Sequence, residues 1–292
     1  LKTWLERWVL ISGLALLLVG EGCLQIPTDY RTIGPHAAVD PPLLLAEQCY
    51  PGVLAHRDEP YPEPSAAIDG DGFTLVSWNL QKGRQPGWSI DLDQLIGDAD
   101  IVLLQEARLS AELSRVLAQK SENWDLAPAF IHRDDPMGVL TAAQAPPLKR
   151  CMTRNQEPLL RVPKSTLITQ YAFATGGSRL VVVNLHGINF TWGTASYRKL
   201  WRTMASILRS HSGPLIVAGD FNTWSDERLA IVEQALTPLG LAAARFPEGR
   251  RSMFQGHAVD HVYYRGLIPL NVTVPQVESS DHHPMLVRFK LS

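Results

Sequence analysis

One pattern limits this chain more than any other. From Phe73 onward, short aliphatic or β-branched runs recur, each ending in one or two polar residues before a turn: FTLVSWN (73–79), IVLLQE (101–106), RLVVVNLH (179–186) and LIVAGDFN (215–222). AVDHVYY (258–264) and SSDHHPMLVRF (279–289) continue it toward the end of the chain. Apolar runs of roughly four to eight residues bounded by turn signals read as strands buried on both faces. Helical stretches fit between them around 90–98, 109–120, 196–210 and 226–238, and the interleaving predicts an α/β domain. A balance of 45% hydrophobic and 19% charged residues supplies the core that such a domain needs.

Upstream of Phe73 the texture changes. Residues 24–72 are broken by prolines (IPTDY, IGPH, VDPP, CYPG, EPYPEPS), which forbid continuous helix or central strand and predict an extended linker or wrapping arm. Before that, Lys2 and Arg7 lead into an unbroken apolar run, VLISGLALLLVG (9–20). The run is shorter than the roughly 18–20 residues that cross a bilayer and has the length of a signal-peptide core. Cys23 follows where a bacterial lipoprotein carries its lipid-modified cysteine, although the flank Gly20-Glu21-Gly22 places a charge where such a cleavage site is neutral. A buried or amphipathic N-terminal helix is the alternative. The expected organisation is a signal peptide or hydrophobic anchor over 1–23, an arm over 24–72 and a globular domain over 73–292. The expected location is the cell envelope, exported or membrane-tethered through the N-terminus, against the alternative of the cytoplasm. Cys23, Cys49 and Cys151 lie far apart with no CxxC spacing, which argues against zinc. Their odd number argues against a full disulfide framework.

Polar groups at the ends of buried strands stand on the rim of a sheet, where several strands can aim them into one pocket. A lone buried carboxylate is costly unless a cation or hydrogen bonds compensate. Acids from several strand ends would repel one another in a shared pocket, and a bound divalent metal removes that penalty. Oxygen ligands without cysteine point to Mg²⁺ or Mn²⁺ rather than zinc. The net charge of −2 argues against a basic coat for non-specific nucleic-acid binding. It leaves room for a nuclease that grips phosphate with a metal and a few local cations.

Each candidate has a bland reading beside the functional one. Asn79, after Trp78, is of the type that makes local turn bonds. Glu106, in LLQEA, is either an acid at a helix start or one aimed into a pocket. In AGDFN, Asp220 and Asn222 lie two apart and face the same way on extended backbone, and Gly219 permits a tight approach. Asn222 could equally cap the helix that follows. His186, in VNLHG, reads as a structural histidine or a pocket-facing one. Asp260, beside His261 in AVDHVYY, is a buried hydrogen-bond acceptor or the partner that orients a catalytic histidine. Asp281, His282 and His283 precede Pro284, and a turn there can present both Asp281 and His282 to one site, whereas extended backbone cannot. His283 has no independent claim.

Taken together, WN (78–79), QE (105–106), NLH (184–186), GDFN (219–222), DH (260–261) and SDH (280–282) stand in the order and strand context of the endonuclease/exonuclease/phosphatase superfamily, which the chain resembles over 73–292. The wording of LVSWNLQKG, NLHGINF and VAGDFNTWS resembles a YafD-like bacterial branch of that group. The resemblance implies a deoxyribonuclease I-like fold: a four-layer α/β sandwich, two mixed β-sheets packed face to face with helices outside and the site at one rim. It implies a divalent-metal-dependent phosphodiester hydrolase whose catalytic domain is 73–292. Position by position, it makes Glu106 the principal metal ligand, with Asn79 near it and Asp281 helping to hold Mg²⁺ or Mn²⁺. His282 would be the general base, oriented by Asp260. Asp220 and Asn222 would position the nucleophile or the scissile phosphate, and His186 would donate to a phosphate oxygen. The implied partner is a phosphodiester substrate, nucleic acid in the nuclease reading, and no obligate protein partner follows.

AVDHVYYRG stands where the inositol 5-phosphatase branch carries a PxWCDR-like segment, which disfavours that substrate. Lys82, Arg84, Trp88, Phe190–Trp192, Tyr197 and Arg198 are either the lining of a groove or ordinary rim packing. Two other readings stay open. One is a sphingomyelinase-like phospholipid phosphodiesterase, or a phosphomonoesterase, of the envelope. The other is a catalytically silent module that binds phosphorylated ligands, which predicts the loss of a key residue where none is lost.

Overall fold

The computed structural model describes residues 24–35, 47–54, 66–120, 123–175 and 177–292; the apolar run 9–20 and Cys23 lie outside them. The aliphatic runs become strands because both of their faces find a partner layer. In β9 (Arg179–His186), Leu180 and Val182 join the core on one face while Val181, Val183 and Leu185 join the core on the other. β10 (Leu215–Asp220) divides in the same way, Ile216 and Ala218 against Leu215 and Val217. Side chains alternate across a strand, so two buried apolar faces require a layer on each side.

Two seven-stranded mixed sheets result. The first runs β1 (Leu24–Gln25), β5 (Asn123–His132), β6 (Asp135–Ala143), β4 (Ile101–Arg108), β3 (Phe73–Asn79), β16 (Met285–Leu291) and β15 (Leu267–Thr273). The second runs β11 (Ala242–Ala243), β14 (Asp260–Arg265), β10, β9, β8 (Pro163–Ala172), β7 (Lys149–Gln156) and β2 (Glu47–Gln48). A short hairpin, β12 (Met253–Phe254) with β13 (His257–Ala258), stands apart. Between the sheets, Phe73, Leu75, Ile101 and Leu103 share a core with Leu180, Val182, Ile216 and Val262. Outside the first sheet, α1 (Trp88–Ile96) and α2 (Ala111–Lys120) share one with Val76, Trp78, Val102 and Leu104. Outside the second, α3 (Ala195–Leu208) and α4 (Asp226–Leu236) bring Leu200, Trp201, Met204 and Ile231 against Val181 and Val217. The order helix, sheet, sheet, helix is the expected four-layer sandwich.

A polar clamp crosses the apolar middle. Gln105 of β4 donates through Nε2 to Asn184 Oδ1 of β9 (2.8 Å), and Asn184 Nδ2 donates to the carbonyl of Leu140 on β6 (2.8 Å). Both side chains are fully buried, so these bonds tie the two sheets together at the level just beneath the rim.

Parts of the proline-rich stretch lie along the sandwich. β1 pairs with β5, Ile33 bridges to Leu126, β2 pairs with β7, and Ile68 bridges to Phe173. Cys49, just after β2, forms a disulfide with Cys151 of β7. Two of the three scattered cysteines thus pair across 102 residues of sequence, a separation at which no spacing rule applies. Among the described residues, no helix is long and apolar enough to cross a membrane.

Candidate active site

The motif residues meet at one rim. β9 and β10 run parallel and in register, so His186 and Asp220 end side by side. β14 runs antiparallel to β10 and starts there, with Asp260 opposite Asp220. In the first sheet β3 and β4 run parallel and present Asn79 and Glu106 near their ends. Asp281 and His282 lie in the turn that leads into β16, antiparallel to β3. That turn is fastened to the WN motif: Trp78 Nε1 donates to the His282 carbonyl (2.8 Å) and Ser280 Oγ to the Asn79 carbonyl (2.7 Å).

Local backbone geometry aims the groups. Leu104 pairs with Leu140 and Ala107 with Gly138, so Gln105 and Glu106 oppose Val139 alone. This β-bulge puts Glu106 at φ 48°, a left-handed conformation costly for a side-chain-bearing residue, and turns its carboxylate out of the ladder. Asn222 (φ 54°), Gln81 (φ 49°) and Lys82 (φ 63°) are held in the same region around the site. Gly219 has φ 136°, and a Cβ there would stand 2.1 Å from the Leu185 carbonyl oxygen. Only glycine lets β10 approach β9 closely enough to bring Asp220 beside His186.

The side chains form a chain of short contacts. Glu106 Oε1 is 3.9 Å from His186 Nε2, which is 3.4 Å from Asp220 Oδ2. Asp220 Oδ2 is 4.0 Å from His282 Nε2, and His282 Nδ1 is 2.7 Å from Asp260 Oδ2. Asn79 Nδ2 donates to Asp220 Oδ2 (3.1 Å), and the Asn222 N–H to Asp220 Oδ1 (2.9 Å). Asn222 Nδ2 donates to the Gly187 carbonyl (2.9 Å), while the cap of α4 is Ser225, whose Oγ accepts the Arg228 N–H. The capping role considered for Asn222 is therefore taken by another residue.

Two lysines flank Glu106. Lys82 Nζ lies 2.6 Å from Oε2 and Lys164 Nζ 3.4 Å from Oε1. Burial pushes the Glu106 carboxyl upward, but Lys82, Lys164 and His186 outweigh it and hold the group well below the usual range. Burial and Lys164 together push His186 well below the ordinary imidazole value, so it is neutral at physiological pH. On the other side, burial raises Asp220 to about 7, with Asp260 adding to the rise against the pull of His282. Burial works against the His282 cation, yet the charge and hydrogen bond of Asp260, helped by Asp220, raise it to about 10. Asp281 stands exposed at the mouth, raised by what desolvation it has and by repulsion from Glu106.

Asp220, Asp260 and His282 each offer a ligand atom within 4.8 Å of the others, a group that could hold a metal ion. In the trio expected for that task, Glu106, Asn79 and Asp281, lysines occupy both oxygens of Glu106, and Asn79 Oδ1 accepts the Gln81 N–H (3.0 Å). The mutual repulsion of Glu106 and Asp281 is what a cation between them would relieve, and their donors are hard oxygens suited to Mg²⁺ or Mn²⁺.

Sequence reasoning missed two residues. Lys164 opens a strand after Pro163, with nothing local to mark it. Arg228, in DERLA, looks like a surface charge of a helix, yet it is fully buried. It donates to the carbonyls of Ile188, Asn189 and Asn222 at 2.8–2.9 Å and stacks between Tyr197 and Trp224, joining the loops after β9 and β10. Of the groove candidates, Trp88 and Tyr197 are core residues, while Trp192 is exposed.

A sequence model of the Endonuclease/Exonuclease/phosphatase family matches residues 76–282. A UPF0294 protein of Vibrio parahaemolyticus is 39% identical over 228 residues, 77% of this chain and 81% of its own. The fold is similar to that of an endonuclease/exonuclease/phosphatase from Beutenbergia cavernae, with TM-score 0.62 at 15% identity over 76% of this chain and 72% of that one. It is also similar to D. rerio TDP2 complexed with a single-strand DNA product, with TM-score 0.55 at 15% identity over 75% and 99%.

Proposed function

The chain belongs to the endonuclease/exonuclease/phosphatase family and is an enzyme that hydrolyses phosphoester bonds; from that premise we propose a divalent-metal-dependent phosphodiester hydrolase of nuclease type. The observation that carries the reading is the unbroken contact series from Glu106 through His186 and Asp220 to His282 and Asp260, with no step longer than 4.0 Å. Glu106, Asn79 and Asp281 would hold Mg²⁺ or Mn²⁺. When bound, the ion would neutralise charge on the phosphate and acidify water. Asp260 and His282 already satisfy one another at 2.7 Å, which favours a proton-handling pair over a ligand pair in that trio.

The chain's own groups divide the remaining work. The Asp220–His282–Asp260 cluster holds its resting proton on His282 and has room for another near neutral pH, on Asp220. Protons in such a cluster belong to the set rather than to one residue, so the base is the Asp220–His282 edge, with Asp260 fixing the ring. Neutral His186 can donate an N–H to a phosphate oxygen without adding charge. Asn222 holds the loop and orients Asp220 through its backbone N–H. Lys82 and Lys164 supply local cations beside Glu106.

Nucleic acid is the favoured substrate, supported by the likeness to D. rerio TDP2 complexed with a single-strand DNA product. The envelope phosphodiesterase reading is favoured by one observation, the Cys49–Cys151 disulfide, which belongs to oxidising compartments and supports an exported location. Turnover of bis-p-nitrophenyl phosphate with Mg²⁺ or Mn²⁺ tests the chemistry, and a panel of duplex DNA, RNA and sphingomyelin tests the substrate. Absence of metal-stimulated turnover on every member of that panel would leave only a phosphate-binding module.

A further inference from the structure

The catalytic rim carries more than its polar cluster. Loops 157–162, 187–194 and 244–259 all leave the second sheet at the end that holds His186, Asp220 and Asp260, because β7 and β9 end there and β8 and β14 begin there. They expose Leu159 (54%), Trp192 (84%), Met253 (54%) and Phe254 (41%). Single exposed apolar residues are ordinary, but four on neighbouring loops of one rim mark a contact surface. The loops are neighbours directly or through the segment after β10: the Asn189 N–H donates to Glu157 (2.8 Å), Trp224 Nε1 donates to Asn189 Oδ1 (2.9 Å), and Thr223 Oγ1 donates to the Ala258 carbonyl (2.7 Å). Together they carry four cations (Arg161, Arg245, Arg250, Arg251) and two anions (Glu157, Glu248), an excess of positive charge on a chain whose net charge is −2.

The entry point of the chain adds an independent observation. Leu24 pairs with His132, which pairs with Asp135 across the β5–β6 turn, while Gly138 lies opposite Ala107, next to Glu106. At roughly 3.3 Å per residue, the three residues from Gly138 to Asp135 place Leu24 about 10 Å farther along the strand direction than Ala107, three strands across the sheet on the same rim. Arg154 holds the following segment there by donating to the carbonyls of Pro27 (2.8 Å) and Asp29 (2.5 Å). The chain immediately upstream of this point contains Cys23 and the apolar run 9–20.

We propose that the catalytic rim is a membrane-docking face whose occupant is an anionic phospholipid bilayer, reached by the apolar loops of the rim on which Leu24 also lies. Aromatic and aliphatic tips interspersed with arginine suit the headgroup boundary of such a bilayer. The proposal adds a surface to the proposed function and needs no turnover to be tested.

The experiment is hydrogen exchange on the full chain with vesicles of phosphatidylcholine alone or of phosphatidylcholine with one quarter phosphatidylglycerol. Anionic vesicles should protect all three loops, and the triple variant Trp192→Ser, Met253→Ser, Phe254→Ser should lose that protection. The variant should keep parental hydrolysis of bis-p-nitrophenyl phosphate, which also verifies its fold, and Trp192→Ser alone should weaken protection partially. Unchanged loop exchange, equal protection by uncharged vesicles, or protection by duplex DNA in place of vesicles overturns the proposal. Failure of the parent to hydrolyse the soluble ester counts against the proposed function and leaves the docking result readable.

Discussion

The two halves of the site bury carboxylates of the same kind and leave them in opposite states. On the first sheet, Glu106 is made a firm anion by two ammonium groups. On the second sheet, Asp220 pairs, among the described residues, with no lysine or arginine and lies near the His282 ring it shares with Asp260, and burial lifts it to about 7. Desolvation penalises both alike, so the partner decides the outcome. Lysine produces a carboxylate that stays charged, while a shared proton produces one that can gain or lose a proton near neutrality. In the proposed function, the rim would separate the task of holding charge from the task of moving protons.

The strongest way to break this division is to remove the imidazole. His282→Ala should lower kcat on bis-p-nitrophenyl phosphate by about 10²–10⁴, the usual worth of positioned acid–base help. Turnover within a few-fold of the parent would remove His282 from the machinery. Next comes a pair of shape-preserving changes read by Mn²⁺ calorimetry. Glu106→Gln should weaken binding at least about tenfold, or 1.4 kcal/mol, whereas Asp260→Asn should leave affinity nearly unchanged and act on kcat. The reverse pattern would exchange the roles of the two halves. A smaller effect is expected of Lys82→Met. Removing the ammonium 2.6 Å from Glu106 frees the carboxylate for a competing cation, and Mn²⁺ affinity should rise by about three- to tenfold. Weaker binding in this variant would mean that Lys82 assists the metal instead of standing in for it.

Much of this was legible in sequence where both faces of a strand are aliphatic, as in RLVVVNLH and LIVAGD, and the four helices fall within two residues of their expected bounds. β5 and β7 were not, because β5 contains Pro128 and KRCMTRNQ is mostly polar. Their burial comes from neighbouring strands, and no local periodicity records it. Glu106 was visible as a motif residue, but its bulge depends on the register against β6. Lys164 reaches Glu106 only because β8, β9 and β4 meet across the sandwich. The pairing of Cys49 with Cys151 likewise depends on the arm lying along β7.

Two imidazoles near Asp260 offer the finest test of the partner rule. His282 lies between carboxylates and is raised to about 10. His261 is one residue along β14 from Asp260; burial, then Arg251, lower it to about 4 against the pull of Asp260. Its Nε2 instead meets Thr223 Oγ1 (2.6 Å), and its ring packs beside Phe221. A base whose folded pKa lies below its unfolded value binds fewer protons when folded, so stability falls as pH drops from about 6.5 toward 4. His261 should therefore cost about 2–3 kcal/mol between pH 7 and 4.5. His261→Gln, which cannot titrate, should lose that much less on acidification in urea melts at the two pH values. If parent and variant lose equal stability, the ring is not held neutral by its surroundings. The contrast with His282 would then owe nothing to which charges face each ring.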